Sequence, residues 1–269
     1  MLIRLGYDMH FDTFAEVPMV TLLNVHPSRK KDLREPDELQ TDPAINIVKY
    51  EDTFGNQGCR LVLPPGKIRL HNSTLIQDSG QPDVQPVDAR EIAVEHLPSE
   101  VLPFLMNSRY CEVDLLSNTS SELFGASPKG WARVQAVCEW VHSKVTFGYH
   151  FANPIRTALG VYTERVGVCR DFQHLAITFC RALNIPARYA TGYLGDIQII
   201  VAPSAMDFSA WFEVYLEDRW WTCDARHNIP RVGRVLMATG RDATDCAITT
   251  SFGRAQLTSF FVVSDEVPE

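Results

Sequence analysis

Seven cysteines (Cys59, Cys111, Cys138, Cys169, Cys180, Cys223 and Cys246) are scattered through the sequence with no CxxC pair. That spacing excludes a zinc ribbon or a redox dithiol. No apolar run approaches the roughly 20 residues a helix needs to cross a bilayer. Positive charge is scarce: 25 Lys and Arg stand against 33 Asp and Glu, a net charge of −8. Without a basic stripe to release counterions from phosphate, no nucleic-acid partner is expected, and no membrane partner either. The opening segment MLIRLGYDMHFDTF has no continuous apolar core and no small-residue cleavage site, so the expected compartment is the cytoplasm. There most of the cysteines should be reduced and pack as small hydrophobes, and a nucleophile among them has to be argued from its surroundings.

What is present is an ordinary globular composition, 45% hydrophobic and 22% charged, on 269 residues, enough for two cores. Ile3, Leu5, Tyr7, Met9 and Phe11 alternate with Arg4, Gly6, Asp8 and His10, the period of a half-buried strand. Residues 17–25, 46–50, 60–63 and 67–76 read as further strands, with turns at 55–58 and 64–66 and nothing helical between them. An antiparallel β-sandwich is expected over 1–85. The stretch 86–100 is polar and proline-punctuated, the composition of a linker. A second domain, 101–269, then changes character. Ser127-Pro128 is a helix-start signal, and Trp131, Val134, Cys138 and Val141 follow at helical spacing as far as about Lys144. Another helix is expected over 154–165, and a third from Cys169, with Phe172, Leu175, Ala176, Phe179 and Leu183 on its core face and Asn184 and Pro186 stopping it. Strands are expected at 187–194, 197–201, 208–216 and 219–225. Helices followed by an antiparallel sheet make the fold class α+β.

Cys169 sits where the turn Gly167-Val168 becomes a helix, among unpaired backbone N–H groups and the positive end of the helix dipole. Both favour a thiolate. Downstream, a hairpin turning at Glu217-Asp218 puts Ser209 and Asp224 on one side, a diagonal step apart. A residue at 209 then reaches toward both Cys169 and Asp224, the order in which an acid orients a base that activates a nucleophile. Tyr149 is a donor candidate for the oxyanion, with Trp131 the weaker choice. Arg170 and Asp171 either pair locally or line the cleft, and Trp211, on the same strand face as Ser209, is a further cleft candidate.

The segments GVCRDFQHLAITFCRALNIPARYATGYL and AWFEVYLEDRWWTCDA resemble the catalytic core of bacterial transglutaminase-like proteins of the cysteine-protease type. SRYCEVD at 108–114 and the β-rich N-terminal segment extend the likeness to the larger subfamily, in which a β domain precedes a papain-like core of helices on an antiparallel sheet. The resemblance implies Cys169 as nucleophile, Asp224 as orienting acid, peptide or protein substrates, acyl-transfer chemistry by hydrolysis rather than cross-linking, and no metal or organic cofactor. It also aligns Ser209 with the position of the family's histidine. A hydroxyl has no basic form near neutral pH, whereas imidazole does. Four other histidines come into question. His174 is about 140° round the helix from Cys169. His227 returns to the site only if the chain turns after Asp224, which Asn228 and Pro230 permit. His150 lies in a loop, and His142 on a helix surface. Two readings follow: a cysteine protease or amidase, or an inactive peptide-binding module that keeps the cleft.

Overall fold

The alternation at the N-terminus forms the strand it predicts, and its five apolar side chains are all buried. The computed structural model describes residues 1–199 and 206–268. Its first six strands are β1 (Leu2–Thr13), β2 (Val17–Thr21), β3 (Gln40–Asp42), β4 (Val48–Glu51), β5 (Gln57–Leu63) and β6 (Gly66–Gln77). A short 3-10 helix, Pro27–Asp32, interrupts this run, which the sequence reading did not expect. The helical half contains α1 (Val113–Phe124), α2 (Trp131–Lys144), α3 (Ala158–Glu164) and α4 (Cys169–Ala182), with the two-residue strands β7 (Thr146–Phe147) and β8 (Val166–Gly167) paired in parallel before α4. Then come β9 (Ala187–Leu194), β10 (Ser209–Leu216), β11 (Arg219–Cys223), β12 (Arg234–Gly240), β13 (Thr249–Ser251) and β14 (Ala255–Val267). The architecture is α+β.

Two four-stranded sheets make the sandwich, in the orders β14-β1-β6-β3 and β13-β2-β5-β4. Sequence reading placed 101–269 in the second domain, yet β13 pairs with β2 and β14 pairs with β1 along its whole length. The sandwich is therefore assembled from both ends of the chain. A third sheet, β11-β10-β9-β12, is antiparallel throughout. Its hairpin turns at Glu217-Asp218, both at positive φ (48° and 61°), the conformation that a two-residue β-turn of the primed type requires.

Helix α4 packs on this sheet, Phe172, Leu175, Ala176 and Phe179 sharing one core with Tyr189, Phe212, Val214 and Leu216. Tyr193, Phe208, Val235 and Met237 instead join the sandwich core beside Ile3, Leu5 and Tyr7. The two cores meet along the third sheet. Asn56 of the sandwich bridges them by donating to the Thr239 carbonyl and accepting from its N–H, each at 2.8 Å.

Several boundaries differ from expectation for local reasons. Helix α2 starts at Trp131, not at a Ser127 cap, because segment 89–91 caps it: the Gly130 N–H donates to Glu91 Oε1 (2.8 Å) and the Trp131 N–H to the Ala89 carbonyl (2.9 Å). The expected linker thus packs as structure. Gly130 has φ 87°, a conformation that glycine adopts without strain. Residues 197–199 of the expected strand 197–201 form a turn, with Gln198 at φ 57°, and 200–201 lie outside the described residues.

Candidate active site

Helix α4 begins at Cys169, and its start is fixed by Asp171. This carboxylate, fully buried, reaches back to accept the Val168 N–H at 2.9 Å, filling one of the donors a helix start leaves open. It also pairs with Arg156 (3.4 Å) and Arg170 (3.2 Å). Gly167 is needed for a contact rather than for a turn. It lies in β8, where a Cβ would come within 2.6 Å of the Asp171 side chain.

Cys169 is half-buried and lines a cleft of about 380 Å³ with Tyr149, Ser209 and His227. The cleft lies where the third sheet meets the sandwich, with Phe208 contributed from that junction. The backbone N–H groups of Ala210 and Arg170 lie where they favour a charged sulfur. The geometry thus brings Cys169 and Ser209 together as the sequence suggested. It does not reproduce the expected thiolate. Burial pushes the Cys169 thiol above its ordinary value, and Asp207 adds to this. Arg226 and the two N–H groups pull the other way without prevailing. The surroundings of the sulfur therefore favour the thiol over the thiolate.

Strand β11 ends at Cys223 and the chain turns immediately, closed by the Asn228 N–H donating to the Asp224 carbonyl at 2.8 Å. This is the turn on which a role for His227 depended. Its ring folds back so that Nδ1 lies 2.8 Å from Asp224 Oδ2. A carboxylate only accepts, so Nδ1 carries the hydrogen, and in the neutral ring Nε2 is left as the acceptor. The other Asp224 oxygen accepts from Gln173 Nε2 (3.1 Å) and from the N–H groups of Arg226 (3.0 Å) and His227 (3.1 Å). Burial works to raise the Asp224 carboxyl, but the His227 hydrogen bond and the Arg234 charge outweigh it and hold the group well below the usual carboxylate range. Asp224 stays ionised behind the imidazole.

Arg234 carries no motif or spacing that would single it out in the sequence. Its guanidinium lies between Asp224 (3.2 Å) and Asp83 (3.0 Å) and stacks over the Trp211 ring at 4.7 Å. Asp83 comes from the segment before α1, so that segment is part of the site's support. Trp211 is fully buried under Arg234 and does not line the cleft. Arg170 points elsewhere too, donating to the Asn153 carbonyl at 2.6 Å and stacking on Tyr110. Tyr149 does line the cleft. Burial raises its hydroxyl above the ordinary phenol value, so it remains a donor.

The remaining histidines are elsewhere. His174 is fully buried, stacked on Tyr110 at 4.8 Å, with Nε2 accepting the Ala243 N–H at 3.1 Å. His150 packs on Phe151. His142 donates from Nδ1 to the Arg226 carbonyl at 2.7 Å, so α2 holds the turn that presents His227. Among the described residues no cluster of His, Cys, Asp and Glu is arranged to hold a metal ion, and no helix is long and apolar enough to cross a membrane.

The sequence profile of the transglutaminase-like superfamily matches residues 118–225, the stretch that carries Cys169, Ser209 and Asp224. Residues 118–225 thus carry a transglutaminase-like domain. Its fold is similar over the whole chain to the crystal structure of a "Putative Cysteine Protease" from Cytophaga hutchinsonii, with a TM-score of 0.86, 29% identity and 91% of that chain covered. An uncharacterized protein of Mycobacterium leprae is 23% identical over 217 residues, 78% of this chain and 77% of that protein. His227 and Arg234 both lie beyond the matched stretch, so a reading confined to 118–225 stops just short of them.

Proposed function

We propose that the chain is a cysteine hydrolase of peptide or carboxamide bonds, in which Cys169 is the nucleophile, His227 the base and Asp224 the acid that orients it. One observation carries this reading: the imidazole paired to buried, ionised Asp224 lines the same cleft as the sulfur. Family resemblance assigns the base to position 209; here a serine stands there, and the imidazole enters from the turn after β11 instead.

In this mechanism His227 Nε2 takes the thiol proton as sulfur attacks the carbonyl carbon. The negative oxygen of the tetrahedral intermediate meets the Ala210 and Arg170 N–H groups and the Tyr149 hydroxyl. The imidazolium then protonates the leaving amine, and a thioester remains on Cys169. Water, deprotonated by the same imidazole, attacks the thioester, releases the acid and restores the thiol. Asp224 holds Nδ1–H throughout and stabilises the transient imidazolium.

The decisive experiment is amidase and esterase turnover by the wild type and by Cys169→Ala, His227→Ala and Ser209→Ala. Loss with the first two and retention with Ser209→Ala supports the assignment. Full activity in His227→Ala overturns it. One observation favours the second reading, an inactive peptide-binding module: the buried thiol is harder to ionise than an ordinary one. Peptide binding without turnover in the wild type is the result that selects it.

A further inference from the structure

The cleft holds two opposite charges, Arg226 and Asp207, that act on each other but form no ion pair among the described residues. Arg226 spreads its guanidinium over the Phe147 ring at 4.0 Å and takes part in no ion pair among the described residues. Asp207, mostly buried, has one partner, the N–H of its neighbour Phe208 at 2.7 Å, and no ion pair either. Both line the cleft with Cys169. Their charges act on the sulfur in opposite senses, Arg226 favouring the thiolate and Asp207 opposing it. The other charged pair of the lining, Arg231 and Asp196, already neutralises itself at 3.5 Å.

Unneutralised charges half out of water are unfavourable without a ligand to complete them. Arg226 is held in place from outside the cleft, by its ring stacking and by the His142 hydrogen bond to its carbonyl. A guanidinium is suited to a carboxylate, which it binds through two parallel hydrogen bonds. A partly buried carboxylate facing the same space suits an ammonium. About 380 Å³ lies at the small end of ligand clefts, which run from about 300 to 1,000 Å³. The remaining walls, among them Leu194, Met206 and Ile229, offer apolar surface to side chains.

We infer that the cleft recognises a short zwitterionic peptide, a free dipeptide or similar amide, with its ammonium at Asp207, its carboxylate at Arg226 and the amide between them at Cys169. This takes the cleft of the proposed hydrolase as the ligand site and names its substrate class: small peptides with both ends free rather than internal bonds of folded proteins.

The test is equilibrium binding to the full-length Cys169→Ala protein, measured calorimetrically, so that it does not depend on turnover. The probes are Ala-Leu, N-acetyl-Ala-Leu, Ala-Leu amide and the doubly capped peptide. The free dipeptide is expected to bind at least about tenfold more tightly than either singly capped form, the discrimination one lost charged contact gives. Asp207→Asn should erase the difference between free and acetylated peptide, and Arg226→Gln that between free and amidated peptide. Arg226→Lys should keep part of the carboxylate preference, which guards against misreading a folding defect. Equal binding of the free and doubly capped peptides, no binding of any of them, or discrimination that survives both substitutions overturns the inference. Turnover by the wild type, assayed in parallel, separates the two claims. Discriminating binding without turnover removes the hydrolase and keeps this site. Turnover with equal KM for free and capped peptides does the reverse.

Discussion

His227 Nδ1 lies 2.8 Å from Asp224 Oδ2, an imidazole and a carboxylate three residues apart that meet because the chain turns between them. The turn brings an imidazole into the cleft that Cys169 lines, from a position other than the one the superfamily resemblance assigns to the family's histidine. Replacing His227 with alanine is expected to lower kcat by about 10²- to 10⁴-fold with little change in KM, the range for removal of a general base. Asp224→Asn should cost a similar amount by reversing the ring tautomer. Steady-state kinetics on a chromogenic amide or ester checks both.

Position 209 supplies a complementary test. Ser209→Ala is expected to stay within a few-fold of wild type. Ser209→His placed in the His227→Ala background should restore turnover by at least tenfold, because residue 209 lines the same cleft as the sulfur. If the double variant stays as inactive as His227→Ala, a side chain at 209 does not reach Cys169.

The pH dependence of Cys169 alkylation follows from its surroundings. With burial raising the thiol, the iodoacetamide rate should climb with a midpoint above that of an ordinary thiol. Asp207→Asn should move the midpoint down and Arg226→Gln should move it up. A rate unchanged down to pH 6 contradicts the buried-thiol description.

His174 makes stability depend on pH. Burial lowers its folded-state value to about 3, in spite of nearby Asp242. The unfolded chain binds a proton at about 6.5, so as pH falls below that the unfolded state takes it up first and stability drops, by up to about 1.4 kcal/mol per pH unit, until about pH 3. Urea unfolding between pH 7 and pH 4 should show this slope. His174→Gln should flatten it while lowering stability at neutral pH through the disturbed Ala243 contact.

Splitting the sandwich provides a test of the fold. A fragment of residues 1–85 leaves β1 without β14 and β2 without β13. It is expected to show no cooperative thermal transition by circular dichroism, whereas the full chain shows one.

The sequence made β1 legible because one face is wholly buried, so alternation runs from Ile3 to Phe11, interrupted in burial only at Gly6. Cys169 and Asp224 were legible because each depends on local structure, a helix start and a strand end. His227 depended on whether the chain turns after Asp224, which strand periodicity does not report. Arg234 reaches Asp224 from another strand, across a separation that leaves no periodic trace. Helix α1 was missed because VDLLSNTSSELF is rich in weak helix formers and buries only Leu116, Ser120 and Phe124. Trp211 was misplaced because a strand covered on both faces hides a residue that alternation alone would point at the cleft. In α4 the apolar face was clear, but Gln173, His174 and Arg181 are buried as well, held by partners remote in sequence: Asp224, the Ala243 N–H and the Arg241 carbonyl.

Leu2 lies opposite Val267 and Thr13 opposite Ala255. During synthesis β1 leaves the ribosome with one long edge bare, and it stays so until β14 has been translated. Closure of so distant a pair is slow, and an unpaired edge invites other chains. A chain truncated before β14 is therefore expected to leave β1 open to pairing with other chains.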